Sequence, residues 1–98
     1  MRSDEAELIA INDSEDGRGG FNKTRVWKLT PAICNVGYVL IDYASGCNET
    51  IAVKCRADGG VAKDGWKKPI FTGWGDCIYD GSAIQYVIWN LRDKEAAK

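Results

Sequence analysis

Ninety-eight residues, 45% hydrophobic and 28% charged, fit one small globular domain and exclude disordered, collagen-like and membrane-spanning classes. The formal net charge of −1 gives no field that would hold the chain to nucleic acid or an anionic membrane, so neither is expected as a partner. Histidine is absent, which rules out Ser-His-Asp and Cys-His mechanisms and any imidazole base.

Strand signals recur about every dozen residues, separated by Gly, Asp, Asn and Ser clusters, as in a small antiparallel domain. ELIAI near the start precedes SEDGRGG, a run that must turn. TRVWKLT follows and is expected to end at Pro31, because a proline inside a central strand removes a ladder donor. VGYVLIDY, the most apolar stretch of the first half, reads as a central strand, and Ala44-Ser45-Gly46 then turns the chain. TIAVKCR alternates: Ile51, Val53 and Cys55 share one face, and Thr50, Ala52, Lys54 and Arg56 the other.

From Asp58 to Asp76 the composition changes to DGGVAKDGWKKPIFTGWGD, with five glycines and one proline, which predicts a long loop with a short strand at PIFTG. The C-terminal SAIQYVIWNLRDKEAAK supports two readings. Ser82 and Gln85 fit a capping box, and Ile84, Val87, Ile88 and Leu91 fit a helix face. The β-branched and aromatic content of QYVIW favours a buried strand over 84–91 instead, with Trp27 and Trp89 as core residues of their strands.

The expected architecture is therefore one mainly β domain over residues 1–98, a small antiparallel sandwich or partly open barrel of five or six strands. The alternative is α+β, with a C-terminal helix over residues 83–96 packed on an antiparallel sheet.

Four cysteines bear on location. Cys47 and Cys55 flank an extended segment that separates their Cα atoms by about 26 Å, beyond the reach of a disulfide. The same argument disfavours Cys34 with Cys47. The pattern left is Cys34 with Cys55 and Cys47 with Cys77, because a hairpin turning at residues 44–46 sets Cys34 almost opposite Cys55. MRSDEAELIAIND lacks the basic and apolar regions of a secretory leader, so reduced thiols and a cytoplasmic location are expected. A secreted domain with its leader removed and both disulfides formed is the alternative. The cysteine gaps do not suit a structural zinc site, and no metal or cofactor is expected.

Catalytic motifs fail one by one. Asn12, Ser14, Asp16 and Gly17 begin like an EF-hand loop, but its twelfth position is Lys23; GVAKDGW has Trp66 where a phosphate-binding loop needs lysine. Asp76 and Asp80 could make a carboxylate pair, yet Asp beside Gly is ordinary turn chemistry. No catalytic residue is assigned.

The remaining candidate is the 58–76 segment, where Trp66, Phe71 and Trp74 alternate with Lys67 and Lys68 on a glycine-rich backbone. The expected function is a non-catalytic binding module that contacts a small molecule or protein through these five residues. The alternatives are a small inhibitor or immunity-type protein acting through an exposed strand edge and, last, a carboxylate-dependent hydrolase. The oligomeric state is not set, and a homo-oligomer stays open.

Overall fold

A computed structural model describes residues 6–15, 17, 21–44, 49–74 and 82–97. Five strands form a single open antiparallel sheet in chain order: β1 (Ala6–Glu15), β2 (Phe21–Ile33), β3 (Val36–Ala44), β4 (Glu49–Lys54) and β5 (Phe71–Trp74). One helix, α1 (Ser82–Ala96), completes a mainly β fold measuring 44 × 27 × 25 Å. The expected β class and strand count hold. The buried strand expected over 84–91 is instead a helix, the arrangement given as the alternative.

Helical spacing explains that outcome. Ile84, Val87, Ile88 and Leu91 are all buried, and they recur at the three- and four-residue steps of one helix face. They pack with Trp27, Leu29, Ile33, Val36, Val39, Ile41, Tyr43 and Ala52 of the sheet. Burying that apolar stripe outweighs the weak strand preference of single residues, which tertiary packing routinely overrides. Lys94 in the last turn also suits the negative end of the helix dipole. Trp89, expected in the core, is 67% exposed, because the helix carries it away from the sheet.

The opposite sheet face has its own smaller cluster of Val26, Leu40, Val53 and Cys55, with Tyr38, Ile51 and Val61 against it. On β4 the expected alternation is observed. Ile51, Val53 and Cys55 point to this side, and Ala52 to the helix side. Thr50, paired with core residue Tyr43, is buried as well. Both faces of β4 are thus covered, with small side chains where α1 crosses.

The β2–β3 connection is a two-residue turn that the sequence concealed. Ile33 pairs with Val36, and Cys34 and Asn35 between them have φ of 52° and 64°. Positive φ at both central residues is the type I′ geometry, which matches strand twist but is usually built from Asn-Gly. Here the helix end holds it. The Cys34 backbone N–H donates to Glu95 Oε2 at 2.9 Å, and its thiol donates to the Leu91 carbonyl at 3.2 Å. Nor does β2 end at Pro31. Residues 29–32 stay extended opposite the single residue Gly37, so the proline lies where the ladder is interrupted and no donor is missed.

Register also decides the cysteines. Ala44 pairs with Glu49 and Val39 with Lys54, so Tyr38, not Cys34, lies opposite Cys55; its carbonyl accepts the Cys55 N–H at 3.0 Å. Cys34 packs on the helix side and Cys55 on the other, and both are free thiols. The Cys34–Cys55 bridge of the secreted alternative is therefore not formed, because the β3–β4 pairing runs four residues away from the expected opposition. Cys47 and Cys77 lie outside the described residues.

Burial pushes the Cys55 thiol above its ordinary pKa of 9.0, with the Asp58 carboxylate adding to the rise and Arg56 opposing it. A raised folded-state pKa gives stability that is complete below the unfolded pKa and is lost as pH climbs toward the folded value. The protein is expected to lose stability above pH 9.0 more steeply than its Cys55→Ala variant, as measured by urea midpoints along a pH series. Parallel slopes would show that the thiol is not shielded.

Candidate functional site

The 58–76 segment is not a slack loop. Cys55 and Val61 form a β-bridge, the Arg56 N–H donates to the Gly60 carbonyl at 2.7 Å, and Ala62 N–H donates to the Lys54 carbonyl at 3.0 Å. Asp58 Oδ1 accepts from the Gly60 N–H at 2.8 Å and from the Arg56 guanidinium at 3.2 Å. Those two partners, the Gly60 N–H foremost, hold the exposed Asp58 carboxyl below its ordinary range. Ile70 N–H then donates to the Ala52 carbonyl at 2.8 Å, returning the chain to β4 before β5 begins. Between these anchors, residues 63–67 turn back against β4. Gly65 is required there: a Cβ would lie 2.6 Å from Val61 Cγ1 and 3.0 Å from the Lys54 carbonyl oxygen.

Trp66 sits on this turn, 52% exposed, with exposed Lys67 and Lys68 following it; Lys67 Nζ stands 4.0 Å from Asp64 Oδ1. Phe71, at the start of β5, is half-buried and packs on the helix-side core. Trp74 ends β5 with its backbone opposite Glu49.

Phe71 links the loop to a surface that was not foreseen. Its ring stacks on Tyr86 of α1, with centroids 6.0 Å apart and planes within 10°. Tyr86 in turn meets Trp89 at 6.5 Å with a 35° tilt. Such offset and tilted pairs are the favoured aromatic geometries. The row is solvent-facing: Tyr86 is 47% exposed and Trp89 67%. Beside it a half-open hollow of about 300 Å³ is lined by Gln85, Ile88, Trp89 and Arg92. These four follow one stripe of α1 at the i, i+3, i+4, i+7 spacing. The sequence did carry the signal: reading 84, 87, 88 and 91 as the buried face sends 86 and 89 outward.

A second exposed apolar feature lies at the sheet edge. Among the described strands β1 pairs only with β2, and a bulge between Leu8 and Ala10 leaves Ile9 outside the ladder. Leu8, Ile9 and Ile11 are exposed along it, while Asp13 is tied to Arg25 at 2.6 Å.

Among the described residues, no group of three or more metal-ligating side chains forms, and no helix is long and apolar enough to cross a membrane. Asp76 and Asp80 lie outside the described residues. Comparison with protein-family models, with curated proteins and with solved structures gave no match.

Proposed function

We propose that this chain is a non-catalytic binding module that takes a small molecule or a partner protein on the aromatic surface the 58–76 segment shares with α1. The observation that carries the reading is the row Phe71, Tyr86 and Trp89, in which the rings are held against one another while Tyr86 and Trp89 remain exposed. A domain of this size gains most by burying large aromatics, so rings left at the surface beside a hollow suit recognition better than packing. Trp66, Lys67 and Lys68 are exposed together on and just after the turn at 63–67, an aromatic group with cationic neighbours in the same segment. The lack of any histidine favours binding over turnover.

The test is a screen of small aromatic ligands by amide and indole NMR shifts. Hits are expected to perturb Tyr86, Trp89 and Trp66 and to be lost in Trp89→Ala, a substitution that changes stability by less than about 1 kcal/mol as exposed sites do. Hits that map elsewhere, or a large loss of stability, would refute the reading.

A second reading, an inhibitor or immunity-type protein, is favoured by the ten-residue β1 edge with its exposed Leu8, Ile9 and Ile11. It predicts a protein complex weakened by Ile11→Lys and indifferent to Trp89→Ala. We place the protein in the cytoplasm, a reading supported by free thiols at Cys34 and Cys55. Four titratable thiols on unfolded, unreduced protein are the expected count; fewer would move it to an oxidising compartment.

A further inference from the structure

We propose that the β1 edge binds a second copy of this chain: two β1 strands pair antiparallel about a twofold axis at Ala10 and join their sheets into one. This goes beyond both functional readings above.

Leu8, Ile9, Ala10 and Ile11 form an unbroken apolar run, and all four are exposed, the large side chains at 39%, 41% and 60%. Such a run on a ten-residue edge strand is a template for pairing rather than a solvated surface. Among the described strands, none lies on the outer side of β1. The acids of β1 do not select the partner, because β2 already answers them. Glu7 stands opposite Lys28, and Asp13 stands opposite Lys23 and is bound to Arg25. What the edge leaves unmatched is apolar, so a strand of its own character fits it better than a basic one.

The bulge makes β1 complementary to itself. In a regular strand, residues 8 and 11 would point to opposite faces. With Ile9 out of the ladder, Leu8 pairs with Trp27, and Ile11 pairs with Arg25, whose β3 partner is Ile41. Trp27 and Ile41 both belong to the helix-side core, so Leu8 and Ile11 share that face. Ala10, opposite Val26, lies between them on the other face. A twofold at Ala10 that skips Ile9, as β2 does, sets Leu8 of each copy opposite Ile11 of the other. It also sets Glu7 opposite Asn12 and Asp13 opposite Ala6, so no acid faces an acid. A twofold one residue later, at Ile11, would put Leu8 against Asp13. A twofold interface uses the same patch on both copies and therefore stops at two.

The test is sedimentation velocity of the full chain across a dilution series. A reversible monomer–dimer equilibrium is expected, with β1 amides gaining more exchange protection than β4 amides as concentration rises. The Leu8→Lys and Ile11→Glu variants, both at exposed positions, should each weaken dimerisation about tenfold or more, because symmetry removes two cross-strand pairs at once. Mixing the two variants should restore association. In the mixed dimer the introduced charges face each other in one pair, and the native Leu8–Ile11 pair survives in the other. A monomer at every concentration, a dimer that tolerates both variants, or a mixture that stays monomeric would each overturn the proposal. A different protein held on β1 by a chain that does not self-associate would also overturn it, while upholding the edge-strand reading of function.

Discussion

Replacing Ile84 with alanine is expected to destabilise the fold by about 2 to 5 kcal/mol, the range found when a fully enclosed aliphatic side chain is truncated. Ile84 is 0% exposed and lies between α1 and the sheet, among residues from β2, β3 and β4. The site has little room to collapse, because Val39, Val87 and Ala52 around the same core are also fully enclosed. For a domain whose total stability is about 5 to 15 kcal/mol, such a loss brings it near unfolding at moderate temperature. Trp89→Ala, five residues along the same helix, should cost less than about 1 kcal/mol despite removing a larger side chain. Urea denaturation of the two variants measures the contrast. In a strand 84 and 86 would share one face, so a loss from Tyr86→Ala comparable to that from Ile84→Ala would count against the helix.

That contrast also marks where sequence reading succeeded and where it stopped. The five strands were legible from their apolar stretches, although β1 runs on through Ser14 and Glu15 of the expected turn and β2 extends past TRVWKLT at both ends, and β4 announced both of its faces by strict alternation. PIFTG was recognised as strand within a glycine-rich stretch, and β5 occupies its last residues and Trp74. The type I′ turn at Cys34-Asn35 was not legible, since neither residue is glycine. The contacts that hold it come from Glu95 and the Leu91 carbonyl, some sixty residues away. The Cys34–Cys55 opposition failed for a related reason. A turn assumed at residues 44–46 shifts the whole β3–β4 register, and register is a property of two strands together.

The candidate surface divides along the same line. Trp66, Lys67, Lys68 and Phe71 were singled out by composition, and the first three do lie exposed on one turn. Phe71 belongs with Tyr86 and Trp89, residues that the strand reading had placed elsewhere. Composition identified aromatic content but not the neighbour, because the pairing exists only once α1 has docked beside β5. Both faces of the sheet are occupied by different means: α1 covers one, and Val61 with the folded 55–62 segment covers part of the other. Among the described residues, large apolar groups meet solvent on the outer side of α1, along the β1 edge and at Trp66.

Trp27→Ala is expected to cost about 3 to 5 kcal/mol, as truncation of a buried tryptophan does. It is buried, 7% exposed, whereas Trp66 and Trp89 are largely exposed. Its place in β2 explains both the burial and the character of the loss. Trp27 pairs with Leu8 of β1 on one side and Val39 of β3 on the other, so one ring underlies three strands. The β3 side stays supported by Ile41 and α1, whereas β1 beyond Ala6 is exposed and has β2 as its one neighbour among the described strands. The damage should therefore be uneven. Amide exchange is expected to speed up more at Ala6–Leu8 than at Ala52–Val53, because edge backbone with few buried contacts opens first. A uniform increase across β1 and β4 would mean that the ring holds the whole sheet and the edge is no weaker than its centre. Preferential loosening of β1 would also bear on the second functional reading: a partner that pairs with this edge should recover part of the lost protection, by the free energy of its own binding.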